Sequence, residues 1–163
     1  MEDSISQTSG ETMRQSIILN KTYHYRISNY HFDGLDETIL REIFKDGRAF
    51  SHFIEPWLAQ TFPLIHVQGC KKYDHIDSDN CDIKYDQKTF TKGGCKFMPS
   101  NMIGEGRKFD KAIFEEKARG LIYIIVSNLN FPDIKIKFVK GNELATKYPN
   151  GTIPLKDLVP FFD

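Results

Sequence analysis

The sequence predicts an α/β fold in which a mixed central sheet is flanked by helices. Apolar residues recur at helical spacing between residues 35 and 62. Short segments rich in β-forming residues follow, and a helix-like segment at residues 110–119 then leads into an apolar strand at residues 121–129. The predicted order is therefore helix, strand, strand, strand, loop, helix, strand and strand.

Length and composition favour a single domain, residues 1–163. The chain is 40% hydrophobic and 27% charged, which is ordinary for a soluble protein with a real core. The longest apolar run, residues 121–126, is far shorter than the roughly 20 residues of a membrane span, and no signal peptide is recognisable. Three cysteines without a CxxC pair suggest reduced thiols. We therefore expect a cytoplasmic protein with no membrane partner.

The N-terminal part carries no predicted chemistry. Residues 1–15 are polar, and we expect a flexible terminus or a dimer arm. Residues 17–32 are aromatic and β-branched, with Tyr23 and Tyr25 in alternation. This segment is predicted to form an edge strand or an ordered arm.

Two helices are predicted between residues 35 and 62, with a break at residues 45–47. The second helix is expected at about residues 48–60, with Pro56 as an awkward interior residue. Glu55 lies among apolar neighbours in this helix and is a candidate functional acid. The pattern leaves two placements open, one near the core and one, slightly favoured, on the solvated face.

A predicted hairpin contains the strongest candidate site. Residues 77–80 are turn formers, and in the strand at residues 82–90 every second side chain points to one face. The Lys88 ammonium should therefore stand beside the Asp86 carboxylate, with Asp74 brought back from the upstream strand. Two carboxylates and a lysine can hold Mg²⁺ and leave an ammonium near the attacking water or the phosphate. These side chains suit phosphodiester hydrolysis.

The register of this site has alternatives. Asp82 and Lys84 repeat the spacing on the same strand face, and Asp77 is a second candidate for the upstream acid. We favour Asp86 because it lies in mid-strand, where packing can fix its geometry, and Asp74 as its partner. The alternative interpretation is a solvated strand face whose charge pair contributes about 0.2–1 kcal/mol.

The remaining chain supplies a loop, a helix and two strands. Residues 92–108 are rich in glycine and lack periodicity, so a long loop is predicted. A helix at residues 110–119 ends at Gly120, and the buried strand after it is followed by a half-exposed strand at residues 134–139. Prolines and an Asn-Gly pair then favour turns and one short element at residues 155–159.

The predicted order of elements resembles that of the PD-(D/E)xK nuclease superfamily. The motif also matches, with Asp74, then eleven intervening residues, then the triplet Asp-Gln-Lys at residues 86–88. The closer resemblance is to the small type II restriction endonucleases. It covers residues 48–126 and implies an αβββαβ catalytic core. The sequence departs from the motif at Tyr73, where proline is common, and in having Asp rather than Glu as the second acid.

The resemblance implies a role for each matching residue. Asp74, Asp86 and the carbonyl of Gln87 would coordinate one or two Mg²⁺ ions. Lys88 would orient the attacking water or stabilise the transition state. Glu55 would bind a second metal or hold a metal-bound water. The implied activity is sequence-specific cleavage of double-stranded DNA by a homodimer.

DNA recognition is expected in the long loop. The candidates are Asn101 and Arg107 for base edges, and Lys92, Lys96 and Lys108 for phosphates. For Arg107 the alternative is a pair with Glu105 or Asp110. The formal net charge of zero argues against a protein that coats DNA, although lysines cluster locally between residues 84 and 96.

Two other functions stay open. One is a junction resolvase or repair nuclease of the same superfamily, for which a more basic surface is expected. The other is a non-catalytic DNA- or protein-binding module in which the acids are structural. A zinc site built from Cys70, His75, Cys81 and Cys95 matches no common ligand spacing, so we expect spectator thiols.

Overall fold

The computed structural model describes residues 13–28, 32–69 and 72–163. Its main feature is a six-stranded mixed sheet flanked by helices. The strands of this sheet are β1 (Thr22–Arg26), β2 (Leu64–His66), β3 (His75–Asp77), β4 (Lys84–Phe90), β6 (Ile122–Asn130) and β7 (Asp133–Lys140). A second sheet pairs β5 (Cys95–Lys96) with β8 (Thr152–Ile153). The α-helices are α1 (Glu37–Lys45), α2 (Gly47–Thr61), α3 (Lys111–Arg119), α4 (Gly141–Lys147) and α5 (Leu158–Phe162).

The main sheet has the strand order β1-β7-β6-β4-β3-β2. Neighbouring strands are antiparallel except for β4 and β6, which run parallel and are connected through α3. A parallel pair needs such a crossover because the chain must return to the same end of the sheet. The predicted α/β class, with a mixed sheet flanked by helices, is confirmed.

Local side chains explain where the helices begin. Asp46 separates α1 from α2, and its carboxylate accepts hydrogen bonds from the backbone N–H groups of Arg48 and Ala49. Asp110 caps α3 in the same way through the N–H of Ile113. These are the positions at which the sequence predicts the breaks. The helix α2 continues through Pro56, one residue beyond the predicted range at each end.

Each face of the sheet packs against its own helices. On one face, which we call the α2 face, α2 buries Phe50, Ile54 and Leu58. On the other, the α3 face, α3 buries Phe114 and Ala118 together with side chains of α4 and α5. Full burial of each large apolar side chain stabilises the fold by about 1.5–3 kcal/mol.

The side chains of β4 alternate between the two faces. Tyr85 packs in the apolar cluster of the α2 face, and Phe90 packs in that of the α3 face. Asp86 and Lys88 share the parity of Phe90 and therefore lie on the α3 face. The candidate acid and lysine consequently face α3 and not α2.

The C-terminal third departs from the prediction. Residues 141–147 form a helix, α4, where turns were predicted, and the predicted loop contributes β5 to a small sheet. Gly141 begins α4 with its N–H on the carbonyl of Leu121, and a Cβ there would collide with the carbonyl of Ala118. Such short elements are specified by tertiary contacts, which a sequence pattern does not contain.

The N-terminal segment forms an edge strand, one of the two predicted alternatives. β1 pairs with β7 from Thr22 opposite Lys137 to Arg26 opposite Asp133. The predicted arm, residues 1–15, lies mostly outside the described residues, as does Cys70. In the described ranges no helix has the length and apolarity needed to cross a membrane.

Candidate active site

Asp74 is held opposite the middle of β4 by two hydrogen bonds. Its backbone N–H donates to the carbonyl of Tyr85 over 2.9 Å. Its carboxylate Oδ2 accepts from the backbone N–H of Gln87 over 2.8 Å. The pairing of His75 with Tyr85 places Asp74 opposite Asp86, because residues of an antiparallel pair advance in opposite directions. The two acids therefore share the α3 face.

Asp86 is buried, with only 6% of its surface exposed. The pKa of its carboxyl is raised to about 6, mainly by burial, and the charge of Asp74 and a side-chain hydrogen bond with it act in the same direction. Lys88 acts in the opposite direction, since its Nζ lies 3.3 Å from Asp86 Oδ2. Lys117, on α3, also lowers the pKa of Asp86. The result is a close pair of carboxyls with an ammonium beside them.

The alternative acids have other contacts. Asp77 accepts hydrogen bonds from the backbone N–H groups of Asp79 and Asn80 and from the hydroxyl of Tyr85, so it holds the hairpin turn. Asp82 is exposed within that turn. Lys84 lies over the ring of Tyr73 at 5.0 Å. The structure thus brings Asp74, Asp86 and Lys88 together and leaves Asp77, Asp82 and Lys84 in local structural contacts.

The oxygen atoms around Asp74 suit a small hard cation. The N–H and C=O groups of one strand residue point to the same side of the strand, so the carbonyl of Gln87 lies on the side of β4 occupied by Asp74. Among the described residues, no group of three or more His, Cys, Asp and Glu side chains is arranged to hold a metal ion. Mg²⁺ needs fewer protein ligands, because it is usually held by one or two carboxylates and keeps several waters.

Glu55 belongs to a separate cluster. Its carboxylate lies 2.9 Å from Nε2 of His66, and both side chains are about a quarter exposed. Glu55 is therefore half-buried, between the two placements left open by the sequence. His66 is paired with His75, and His75 with Tyr85, so this cluster lies on the α2 face. Strand geometry places Glu55 and Asp86 on opposite faces of the sheet.

The sequence offers a role for His75 only in a zinc site that matches no common ligand spacing, whereas the structure gives this side chain a different environment. It is fully buried, and neither ring nitrogen has a hydrogen-bond partner in the structure. Its ring lies 5.2 Å from the ring of His66. The pKa of His75 is lowered to about 4, mainly by burial and also by His66, while the charge of Asp86 opposes this shift. Burial of an imidazole without hydrogen-bond partners costs free energy of folding.

Tyr123 is a buried polar group on the α3 face, beside Asp86. It lies opposite Asp86 in the parallel β4–β6 pair, and its hydroxyl has no partner in the structure. Burial and the charge of Asp86 both raise the pKa of this phenol. In the sequence Tyr123 lies within an apolar run. Its position beside the candidate site follows from the register of β6 with β4.

The predicted DNA-contacting side chains are all exposed: Lys92, Lys96, Asn101, Arg107 and Lys108. Arg107 donates to the backbone carbonyl of Ser100 over 2.7 Å and not to either of the acids considered as alternatives. The segment that carries them is anchored, because Phe97 and Met102 are buried in the core of the α3 face. It therefore presents polar side chains from a fixed base.

Two of the three cysteines lie in described residues. Cys81 is exposed in the hairpin turn, and Cys95 is buried in β5. Burial raises the pKa of the Cys95 thiol to about 12, which leaves it uncharged at neutral pH.

Comparison with known proteins produced no match to any protein-family model, curated protein or solved structure. The chemistry of the site is therefore interpreted from its own geometry.

Proposed function

We propose that the protein is a Mg²⁺-dependent endonuclease that cuts double-stranded DNA in the manner of a type II restriction enzyme. The main support is the convergence of Asp74 and Asp86 across the β3–β4 hairpin, with the Lys88 ammonium 3.3 Å from Asp86. Two like-charged carboxyls in a buried setting repel each other. A divalent cation would remove this repulsion, so the pair favours a cation site.

In this mechanism Asp74, Asp86 and the Gln87 carbonyl would hold Mg²⁺, which when bound lowers the pKa of a water and neutralises charge on the phosphate. Lys88 would hold that water in line with the scissile bond or stabilise the negative charge that develops on the phosphate oxygens. Hydrolysis forms a P–O bond from the water, which loses a proton to solvent, and breaks the P–O bond to the leaving oxygen, which takes a proton from solvent. For Glu55 the resemblance implies binding of a second metal or of a metal-bound water, whereas its contact with His66 on the α2 face favours a position outside the proposed centre.

The order of elements supports the same proposal. The segment α2, β2, β3, β4, α3, β6 has the αβββαβ order that the resemblance implies, with Asp86 and Lys88 on the third strand of the core. The parallel neighbour of that strand contributes Tyr123 to the same face. We place DNA contacts on the anchored loop at residues 92–108, and a two-fold homodimer in the cytoplasm would cut both strands of a symmetric site.

The test is cleavage of supercoiled plasmid DNA by the full chain in Mg²⁺, compared with Lys88→Gln. Lys84→Gln is the matched control, because Lys84 lies on the same strand face and its ammonium lies over the Tyr73 ring. We expect discrete fragments from the wild type and from Lys84→Gln, a loss of at least about a hundredfold for Lys88→Gln, and no cleavage in EDTA.

Other outcomes separate the alternatives. Cleavage confined to branched junctions would support a resolvase in place of a restriction enzyme. Cleavage that persists in EDTA would exclude the metal mechanism. Inactivity of the wild type on plasmid and branched DNA, with unchanged folding, would support a non-catalytic module in which the acids are structural.

A further inference from the structure

A cavity of about 400 Å³ lies between the β1–β7 edge of the sheet and the helix α5. Neither Asp74 nor Asp86 lines it. Its volume is within the range of about 300–1,000 Å³ that is typical of small-molecule sites. The lining combines polar side chains of the strands, His24, Ser127, Asn130 and Lys135, with the apolar Leu158 and Val159 of α5.

The polar floor is a row of residues that crosses the sheet. Ser127 pairs with Lys135, and Lys135 pairs with His24, so their side chains share one face. The row continues from Phe90 of β4, which packs on the α3 face. The cavity therefore opens on the face of the sheet that also carries Asp86 and Lys88.

The floor carries one ammonium, that of Lys135, which has no ion-pair partner among the described residues. Arg26 Nη1 donates to both carboxylate oxygens of Asp133, at 2.9 and 3.1 Å, so the acid at this edge is already paired. Lys137, in the next row, donates its Nζ to the carbonyl of Phe161 over 2.6 Å. Within the described ranges, neither the Lys135 ammonium nor the His24 ring has a hydrogen-bond or ion-pair partner. Two donors placed directly opposite each other are suited to one anionic group.

The wall of the cavity is apolar and accessible. Val159 is 61% exposed, and Leu158 is half-buried beside it. A flat, weakly polar group would gain by covering these two side chains. Ser127 and Asn130, on the floor, provide donors and acceptors for a polar edge of that group.

We propose that this cavity binds a nucleoside monophosphate unit. Lys135 and His24 hold the phosphate, Leu158 and Val159 cover one face of the base, and Ser127 and Asn130 contact its polar edge or the sugar. The unit has two possible sources, a free mononucleotide or a nucleotide within a DNA strand. Both present the same phosphate and base.

The test is calorimetric titration of the full chain in EDTA, so that neither Mg²⁺ nor cleavage enters the measurement. The probes are the four deoxynucleoside monophosphates, the matching deoxynucleosides, and a single-stranded and a duplex oligonucleotide. We expect at least one monophosphate to bind at millimolar concentration or below, and about tenfold more tightly than its nucleoside. Oligonucleotides that compete with it identify a DNA strand as the source, whereas no competition identifies a free nucleotide.

The diagnostic variant is Lys135→Gln, with Lys140→Gln as the matched control at the end of the same strand. Lys135→Gln should weaken monophosphate binding about tenfold or more. It should leave thermal stability unchanged, because the Lys135 ammonium has no ion-pair partner in the part of the chain that the structure describes. Lys140→Gln should bind like the wild type. The proposal would be overturned if no probe bound at roughly 10 mM, which corresponds to a binding free energy of about 2.7 kcal/mol. Equal binding by the two variants would also overturn it. Failure of plasmid cleavage would not affect it.

Discussion

The carboxylate of Asp74 accepts the backbone N–H of Gln87 over 2.8 Å, at the end of the β3–β4 ladder. The side chain thus replaces the strand neighbour that Gln87 lacks at this position and is held beside Asp86. The neighbouring candidate, Asp77, instead accepts hydrogen bonds within the hairpin turn. We therefore expect mutation of Asp74 to affect cleavage and mutation of Asp77 to affect stability.

Asp74→Asn should reduce the rate of Mg²⁺-dependent cleavage by about a hundredfold or more and leave the protein folded. The Asn side chain keeps an oxygen for the N–H of Gln87 but lacks the negative charge that a cation requires. Asp77→Asn should retain cleavage within about tenfold and lower the stability by about 1 kcal/mol through the turn. Plasmid cleavage and urea unfolding of both variants check this, and the reverse pattern would assign the metal to Asp77.

Glu55→Gln should reduce cleavage by less than about tenfold, because Glu55 contacts His66 on the α2 face and not the acid pair. The matched variant is Glu42→Gln, an exposed acid that pairs with Lys45. The measurement is the Mg²⁺ dependence of the cleavage rate. A loss as large as that of Asp74→Asn would instead place Glu55 among the metal ligands.

Asp86→Asn should stabilise the metal-free protein at pH 8, by up to about 3 kcal/mol. The pKa of Asp86 is raised to about 6 in the folded state from an ordinary 3.8. Its contribution to stability is therefore fully present below about pH 3.8 and is lost as the pH rises through 6. Urea unfolding in EDTA at pH 8 and at pH 3.5 measures it.

At pH 3.5 the difference between Asp86→Asn and the wild type should disappear, since both side chains are then uncharged. Addition of Mg²⁺ at pH 8 should stabilise the wild type and not the variant. A variant that is less stable than the wild type at pH 8 would show that the Asp86–Lys88 pair is a structural ion pair.

His75→Leu should remove part of the acid sensitivity of the fold. The pKa of His75 is lowered to about 4 in the folded state from an ordinary 6.5. Its contribution to stability is therefore present above pH 6.5 and is lost, by up to about 3 kcal/mol, as the pH falls to 4. Asp86 titrates in the opposite direction, so the measured quantity is the difference between the unfolding free energies of variant and wild type at each pH.

At pH 7 His75→Leu should be at least as stable as the wild type, because it removes two buried nitrogens that have no partners. His24→Leu, which removes an exposed imidazole, is the matched control against which the change caused by His75→Leu is compared. If the unfolding free energy of His75→Leu had the same pH dependence as that of the wild type, the imidazole would be solvated or hydrogen-bonded in solution. Loss of cleavage in a stable His75→Leu would instead show that this ring influences the proposed centre from the opposite face of the sheet.

Residue patterns predicted the parts of the fold that depend on local chemistry. Asp46 and Asp110 cap helices where the breaks were predicted, since capping involves only neighbouring residues. The buried strand β6 was predicted from its apolar run. The helix α4 was missed because its seven residues are stabilised by contacts with α3, as the tight packing of Gly141 on Ala118 shows.

The sequence by itself determined the α/β class, the two-residue spacing that puts Asp86 beside Lys88, and the candidate chemistry of the hairpin. Only the tertiary structure decided which acid stands opposite Asp86, because a cross-strand register depends on the whole sheet and not on a local pattern. It also placed Glu55 on the other face, Tyr123 beside the acids and His75 in the interior. These positions follow from the pairing of β4 with β3 and β6, which joins residues far apart in the chain.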